Sequence, residues 1–465
     1  MDKNIIKQLE EIVGKDGVLH SPEDLAVYSF DGTFAEHRPD VVVLPRTVEQ
    51  LSQVVTLAAC ERVPIVPRGM ASGLAAASVP FGGGIALTMT RMNRIVEIDL
   101  DNRIALVEAG LVTADLQAEV EKHGLFYPPD PSSIRHSTIG GNIACNAGGP
   151  RCLKYGVTGD YVMGLTVVLG DGRVLRTGGK TIKDVVGYDL SALFTGSEGT
   201  LGVIAEALLR LTARPRFART ALAEFPSLDD ASRTVGAILS AGIVPATLEL
   251  MDETAIACIE EAMKLGLSLD VEATLIIETD GSDEPAVVRE IEAAARICQA
   301  NGARQVKVAR DEAERASLWK ARRSVSPSLA RKAPNKLGED ITVPRSAIPE
   351  AIRRIKAIGA RYGLPVVVFG HAGDGNLHPN ILFDKRDPDQ WAKIEPMVGE
   401  IFDLALELGG TLSGEHGVGV LKRPYLERAL HPVSLEMQKR IKQVLDPLNI
   451  MNPGKVFAEL APRKL

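Results

Sequence analysis

Residues 366–384, VVVFGHAGDGNLHPNILFD, constrain the fold more tightly than any other stretch of the chain. Val366-Val367-Val368-Phe369 and Ile381-Leu382-Phe383 are β-branched and aromatic runs suited to strands. Between them stands Asp374-Gly375, a strong signal for a two-residue hairpin turn, because both residues tolerate positive φ. An antiparallel pair is therefore expected here. With Asp374 and Gly375 as the loop, Gly373 falls opposite Asn376, Ala372 opposite Leu377 and His371 opposite His378. Opposed residues share a sheet face with β-carbons roughly 5 Å apart, so two imidazoles there could share one metal ion. Two unrelated structural histidines are the alternative.

The chain has 465 residues, enough for two or three domains with buried cores. Its hydrophobic content of 45% and charged content of 24% are those of a globular protein. A net charge of -7 with no basic stripe argues against nucleic acid as a partner. No apolar run approaches the length of a membrane span, so an integral membrane protein is not expected. The opening MDKNIIKQLEEIVG reads as an amphipathic helix with acidic residues, unlike a signal or transit peptide, and the cytoplasm is the expected location. Cys60, Cys145, Cys152, Cys258 and Cys298 form no C-x-x-C pair. An iron–sulfur cluster or a cysteine zinc site is not expected, and reduced thiols are.

From residue 40 a βαβ rhythm develops, with VVVLP (41–45) as a strand, TVEQLSQVVTLAACERV (47–63) as an amphipathic helix and PIVPRG (64–69) as a strand entering a loop. Short strands follow in IALTM, IVEID, IALVEAG and LTVVLGDGRVLRT, the last with a hairpin at Asp171-Gly172. ARPRFART (213–220) breaks this pattern. Beyond it strands alternate with longer helices, an α+β pattern with an antiparallel sheet.

Three Gly-rich loops lie in the first half: VPRGMASGLAAASVP (66–80), PPDPSSIRHSTIGGNIACNAGGPRCLKYG (128–156) and GSEGTLGVI (196–204). Small residues let a backbone approach a ligand closely, and successive N–H groups can form an anion-binding nest. The first is neither a G-x-G-x-x-G nor a P-loop motif. Together they suggest a long phosphate-bearing cofactor laid across them.

These loops, with KTIKDVVGYDLSALFTGSEGTLGVI (180–204), resemble the FAD domain of the vanillyl-alcohol-oxidase type. GHAGDGNLHPN and SGEHGVG (413–419) resemble the FAD-linked D-2-hydroxyacid dehydrogenase branch of that group, which includes the flavin subunit of glycolate oxidase and FAD-linked D-lactate dehydrogenases. The resemblance covers nearly the whole chain. It implies an α+β fold: an FAD-binding domain of two subdomains over 1–215, an α+β cap or substrate domain with an antiparallel sheet and the metal site over 216–425, and a C-terminal segment, 426–465, returning to the FAD domain.

Carried over residue by residue, Pro67, Arg68, Gly69, Met70, Ala71, Ser72 and Gly73 would wrap the pyrophosphate. Pro129, Asp130, Ser137, Gly140, Gly141, Asn142 and Gly148 would flank the flavin and its ribityl chain. Gly199 and Ile204 would contact it by backbone, and Asn452 of Asn452-Pro453-Gly454 would return to it. Relatives often show a run of glycines where this chain has Met70-Ala71. Some relatives tether the flavin through a histidine in this loop, but none lies between 38 and 122, so non-covalent FAD is expected.

An ion held by two imidazoles wants a further N or O ligand and an open position for substrate. In an extended segment neighbouring side chains point opposite ways, so Glu415 and His416 can serve different ends. The resemblance implies metal ligands His371, His378 and Glu415, with His416 as the base. A 2-hydroxy acid would chelate a divalent metal, Zn with Fe or Mn as alternatives, lose its hydroxyl proton to imidazole and its hydride to flavin N5. Its carboxylate suits an arginine, and the resemblance points to Arg322, with Asn376 as a further hydrogen-bonding residue. Lys336 is displaced from where relatives place a lysine for a second carboxylate, which favours D-lactate or glycolate. Electrons would pass to a separate acceptor, whether an electron-transferring flavoprotein, an iron–sulfur subunit, a quinone or a cytochrome, and through it the chain would sit peripherally at a membrane. Two rival readings stand beside this one: a metal-dependent hydrolase and a flavin-binding relay subunit.

Overall fold

The structure, a computed structural model, describes residues 1–458. The chain divides into two compact units. The first is made of Met1–Gly148, Val157–Arg214 and the residues from Glu415 onward, and the second of Gly149–Gly156 and Pro215–Gly414.

In the first unit β1 (Val18–Leu19), β2 (Val41–Val43), β3 (Ile65–Arg68) and β4 (Ile85–Thr88) form a sheet in the order β1-β2-β4-β3. Parallel β2/β4 and β3/β4 pairing requires a crossover, and the helix Val48–Glu61 supplies it. Thr47 caps that helix by accepting from Gln50 N–H, and Leu51, Val54, Val55 and Ala58 recur at helical spacing as its buried stripe. A second sheet takes in β5 (Ile95–Asp99), β6 (Ile104–Glu108), β8 (Val162–Val168), β9 (Val174–Gly178) and β10 (Val203–Arg210), all antiparallel in the order β5-β6-β10-β8-β9. A small pair, β7 (Leu125–Phe126) with β11 (Thr212–Ala213), lies apart. The first sheet's apolar core also takes in Val168, Val203 and Ala205 of the second, which has a further core of its own.

The second unit is built on one antiparallel sheet. Its strands are β12 (Phe217–Phe225), β13 (Thr247–Asp252), β14 (Ala273–Gly281), β15 (Gln305–Val308), β16 (Asn335–Gly338), β17 (Ile341–Thr342), β18 (Val366–His371) and β19 (Asn376–Phe383). They run in the order β15-β12-β14-β13-β18-β19-β16, with β17 also on β19. On one face Leu222, Met251, Ile276, Val367, Phe369 and Leu382 pack under the helices Glu253–Met263 and Glu312–Leu329. The other face carries the helices Leu228–Ser240, Glu284–Ala300 and Ile348–Tyr362. With helices on both sides, β13, β18 and β19 are buried along their whole length.

Two details differ from the sequence reading. The return to the first unit, expected at 426, comes at Glu415. The physical reason is Glu198, whose carboxylate oxygens accept from the N–H groups of Val418 and Gly419, each at 2.7 Å, and so seat the chain before its next helix begins. Gly149–Gly156 also belongs with the second unit. There Lys154 Nζ and Tyr155 OH hold the Asp280 carboxylate at 2.5 and 2.7 Å.

Candidate functional site

The hairpin is present, but its register differs from the expected one. His371 stands opposite Asn376, and Phe369 opposite His378, so the loop has four residues, Ala372 to Gly375. The N–H groups of Asp374 and Gly375 both donate to His371 O, at 3.2 and 3.0 Å. Neighbouring strands draw on the loop as well: Gly373 N–H bonds Leu248 O, and Gly375 O accepts from Val343 N–H. These tertiary bonds outweigh the local preference for a two-residue turn. Because side chains alternate with period two, a two-residue slip leaves every side chain on its expected face. The histidines become diagonal rather than direct neighbours, still within reach.

Pairing now sets Glu249 of β13, His371 of β18, Asn376 of β19 and Thr342 of β17 in one cross-strand row. Met251, Phe369 and His378 form the next. His371 Nδ1 bonds Glu249 Oε1 at 2.6 Å, a carboxylate–imidazole bond of the kind that orients a metal-ligating ring. His371 Nε2 lies 3.4 Å from His378 Nε2, with the two rings nearly perpendicular at 85°. This is long for a hydrogen bond. Two tetrahedral ligands each about 2.05 Å from one ion would stand about 3.3 Å apart, so the pair fits a metal. Glu415 directly follows Gly414, and the ligand atoms of His371, His378 and Glu415 all lie within 4.8 Å of one another.

The sequence reading missed Glu249. It sits in the apolar stretch ATLELMD, where a single acidic residue gives no hint of its partners. Its side chain is fully buried and holds two donors: His371, and Arg322 through Nε at 2.6 Å. Burial alone would push its carboxyl up, but His371 and Arg322 overcome that and hold it at about 2. Arg322 also lies over the Phe369 ring, 4.8 Å from its centre. With Nε committed to Glu249, its two Nη groups remain for a carboxylate. Asn376 directs Nδ2 away into a cluster of Asp340 Oδ1, Ile341 O and Thr342 Oγ1, which leaves Oδ1 as its polar end. The buried Asp340 also accepts from Ser413 Oγ at 2.7 Å and Gly414 N–H at 2.8 Å, fixing the chain just before Glu415. Gly414 is needed there, since a Cβ would stand 2.4 Å from Thr342 Oγ1. Lys336 donates to Ser326 Oγ, one helical turn beyond Arg322. His416 is half-buried and leads into the Gly417–Gly419 segment held by Glu198.

In the first unit some of the expected cofactor residues come into contact. A Cβ on Gly69 would lie 2.3 Å from Thr138 Oγ1, and one on Gly199 3.0 Å from Pro67. Asn452 Nδ2 bonds Glu198 O at 2.7 Å and Ala77 O at 3.0 Å, while Met451 pairs with Ile65. Among the described residues, no N–H from Met70 to Ser78 donates to a protein acceptor, whereas the carbonyls of Gly73, Ala75, Ala77, Ser78 and Val79 are all bound. Ser137 Oγ and Asn452 Oδ1 are buried and unpartnered. Bare N–H groups beside orphaned polar atoms fit an anionic, polar cofactor. Ala71 takes φ 54°, the left-handed region that favours glycine. Pro129 lies where Gln117 Nε2 bonds its carbonyl, Asp130 is half-buried, Gly140 and Gly141 open the helix Ile139–Cys145, and Gly148 is buried. Asn142 is tied to Thr113 Oγ1, and Ile204 pairs with Val167 in β10.

Known proteins bear directly on this arrangement. Residues 39–178 match the FAD binding domain family and residues 214–456 the C-terminal domain of FAD linked oxidases. The glycolate oxidase subunit GlcD of Bacillus subtilis is 46% identical, over 100% of this chain and 98% of its own. The D-lactate dehydrogenase of Archaeoglobus fulgidus is 37% identical, over 90% of this chain and 92% of its own. Among solved structures, p-cresol methylhydroxylase with substrate bound superposes with a TM-score of 0.82 at 18% identity, covering 98% of this chain and 96% of that one. The 4-ethylphenol oxidase of Gulosibacter chungangensis gives 0.80 at 20% identity, covering 98% and 97%. These structural likenesses establish the fold alone, and it is the expected α+β fold of the vanillyl-alcohol-oxidase type. By sequence over its full length, the chain belongs to the FAD-linked oxidases.

Proposed function

We propose that this protein oxidises a small D-2-hydroxy acid, D-lactate or glycolate, to the 2-oxo acid. The observation that carries the reading is the polar row on the second unit's sheet: a Glu249-bonded His371 whose Nε2 faces His378 Nε2 at 3.4 Å, with Arg322 on the same carboxylate. Arg322 binds the substrate carboxylate through its Nη groups, and Glu249 with Phe369 fixes the guanidinium plane. Asn376 Oδ1 accepts from the substrate hydroxyl. His416 takes the hydroxyl proton on its imidazole, a role suited to a group titrating near neutral pH. His371, His378 and Glu415 hold a divalent ion, Zn with Fe or Mn as alternatives, whose charge lowers the pKa of that hydroxyl. FAD, bound without a covalent link, supplies the acceptor for the hydride that leaves the α-carbon.

Electrons then leave for a separate acceptor: an electron-transferring flavoprotein, an iron–sulfur subunit, a quinone or a cytochrome. The naming of the Bacillus subtilis relative as a subunit supports a protein partner. Among the described residues no helix is long and apolar enough to cross a membrane. Membership of an FAD-linked oxidase family leaves no support for the hydrolase reading.

The test is an anaerobic titration of the purified yellow protein. D-Lactate or glycolate is expected to bleach the flavin band, and L-lactate is not. Flavin that stays oxidised with both substrates, in protein holding stoichiometric metal, would overturn the proposal in favour of the relay subunit.

A further inference from the structure

The last described loop of the chain holds a buried lysine. Lys455 is only 2% exposed, yet among the described residues its Nζ has a single hydrogen bond, to Val79 O at 2.8 Å, and lies 5.3 Å over the Phe81 ring. Among the described residues no carboxylate forms an ion pair with it. Asp31 and Glu198 are the acidic groups that act on it, Arg423 the basic one, and burial pushes the ammonium down to about 8. A buried cation so placed is costly unless an anion compensates it.

Lys455 does not act alone. Ala77 O, Ser78 O and Val79 O, three successive carbonyls at the end of the Gly-rich loop, are taken by Asn452 Nδ2 at 3.0 Å, Arg68 Nη1 at 3.5 Å and Lys455 Nζ at 2.8 Å. The same loop is the one whose N–H groups from Met70 to Ser78 have no protein acceptor among the described residues. We propose that Lys455 is a positioning residue for the phosphate end of FAD: with Asn452 and Arg68 it binds the carbonyl side of the loop, keeping the N–H side available to the pyrophosphate, and its own charge is balanced when that pyrophosphate is bound. This role needs only a bound FAD, neither a metal nor a substrate.

The distinguishing consequence is that stability and affinity move in opposite directions. Lys455→Met removes an ill-compensated cation from the flavin-free protein, so its melting temperature stays the same or rises. The same change removes a charge-assisted bond and a phosphate counter-charge, so FAD binding weakens by about tenfold or more. Riboflavin, which lacks phosphates, binds both proteins alike. The measurement uses full-length protein stripped of flavin, with affinities from quenching of flavin fluorescence. Lys455→Gln, which keeps a donor but not the charge, is run in parallel and is expected to lie between, which keeps the test open should the methionine variant not fold. FAD affinity within about twofold of wild type in whichever variants fold, or FAD and riboflavin weakening together, would overturn the proposal.

Discussion

The two candidate sites are built from opposite materials. The cofactor cradle of the first unit is mostly main chain: unengaged N–H groups between Met70 and Ser78, close-packed glycines, and side chains such as Asn452 and Lys455 that face the backbone rather than present chemistry. The polar row of the second unit is mostly side chain, and the sheet beneath it serves to align Glu249, His371, Asn376 and His378. A site made of backbone tolerates changes of side chain but not added bulk. A site made of aligned side chains tolerates bulk nearby but not the loss of one functional group.

That contrast is most easily broken at the histidines. His371→Ala or His378→Ala is expected to leave the flavin spectrum intact while bleaching by D-lactate or glycolate slows by about a thousandfold or more, the loss of several kcal/mol of charge stabilisation. Stopped-flow absorbance measures both, and a chelator acting on the wild type should reproduce the effect. Wild-type rates in either variant would end the metal reading. Next in size is Glu249→Gln. The amide offers one acceptor oxygen to two donors, His371 Nδ1–H and Arg322 Nε–H, so one of them must face an NH₂ group. Zinc affinity by equilibrium dialysis should fall about 10- to 100-fold, with KM for the hydroxy acid rising. Unchanged metal affinity and KM would show that Glu249 is only a core carboxylate. Smallest is Gly69→Ala, whose Cβ would crowd Thr138 Oγ1. A stability loss of about 1–2 kcal/mol by denaturant titration and lower flavin occupancy are expected, with zinc binding untouched. A loss of zinc with flavin retained would erase the distinction between the two sites.

The same contrast governs how much can be read without coordinates. Glycine clusters and an Asp-Gly turn between apolar runs are local signals, so the hairpin and the loops around 66–80 and 196–204 stand out in the sequence. Alternation preserves faces, which is why the histidines share one although the register is off by two. The register itself was set by Leu248 and Val343, residues distant in sequence that bond Gly373 and Gly375. Glu249 was invisible for a related reason: its meaning comes from Arg322 and His371, 73 and 122 positions away. Lys455 sits in a segment noticed for its Asn-Pro-Gly, and nothing local marks a lysine as buried.

The division of the first unit into separate stretches of chain has a consequence for biosynthesis. Met451 pairs with Ile65, and Glu198 waits for Val418 and Gly419. The stretches Met1–Gly148 and Val157–Arg214 therefore cannot close their fold until the residues from Glu415 onward have been made, well after the intervening sheet has emerged. Such long-range closure is slow and leaves apolar strands uncovered meanwhile. The middle of the chain should mature first, and the beginning last.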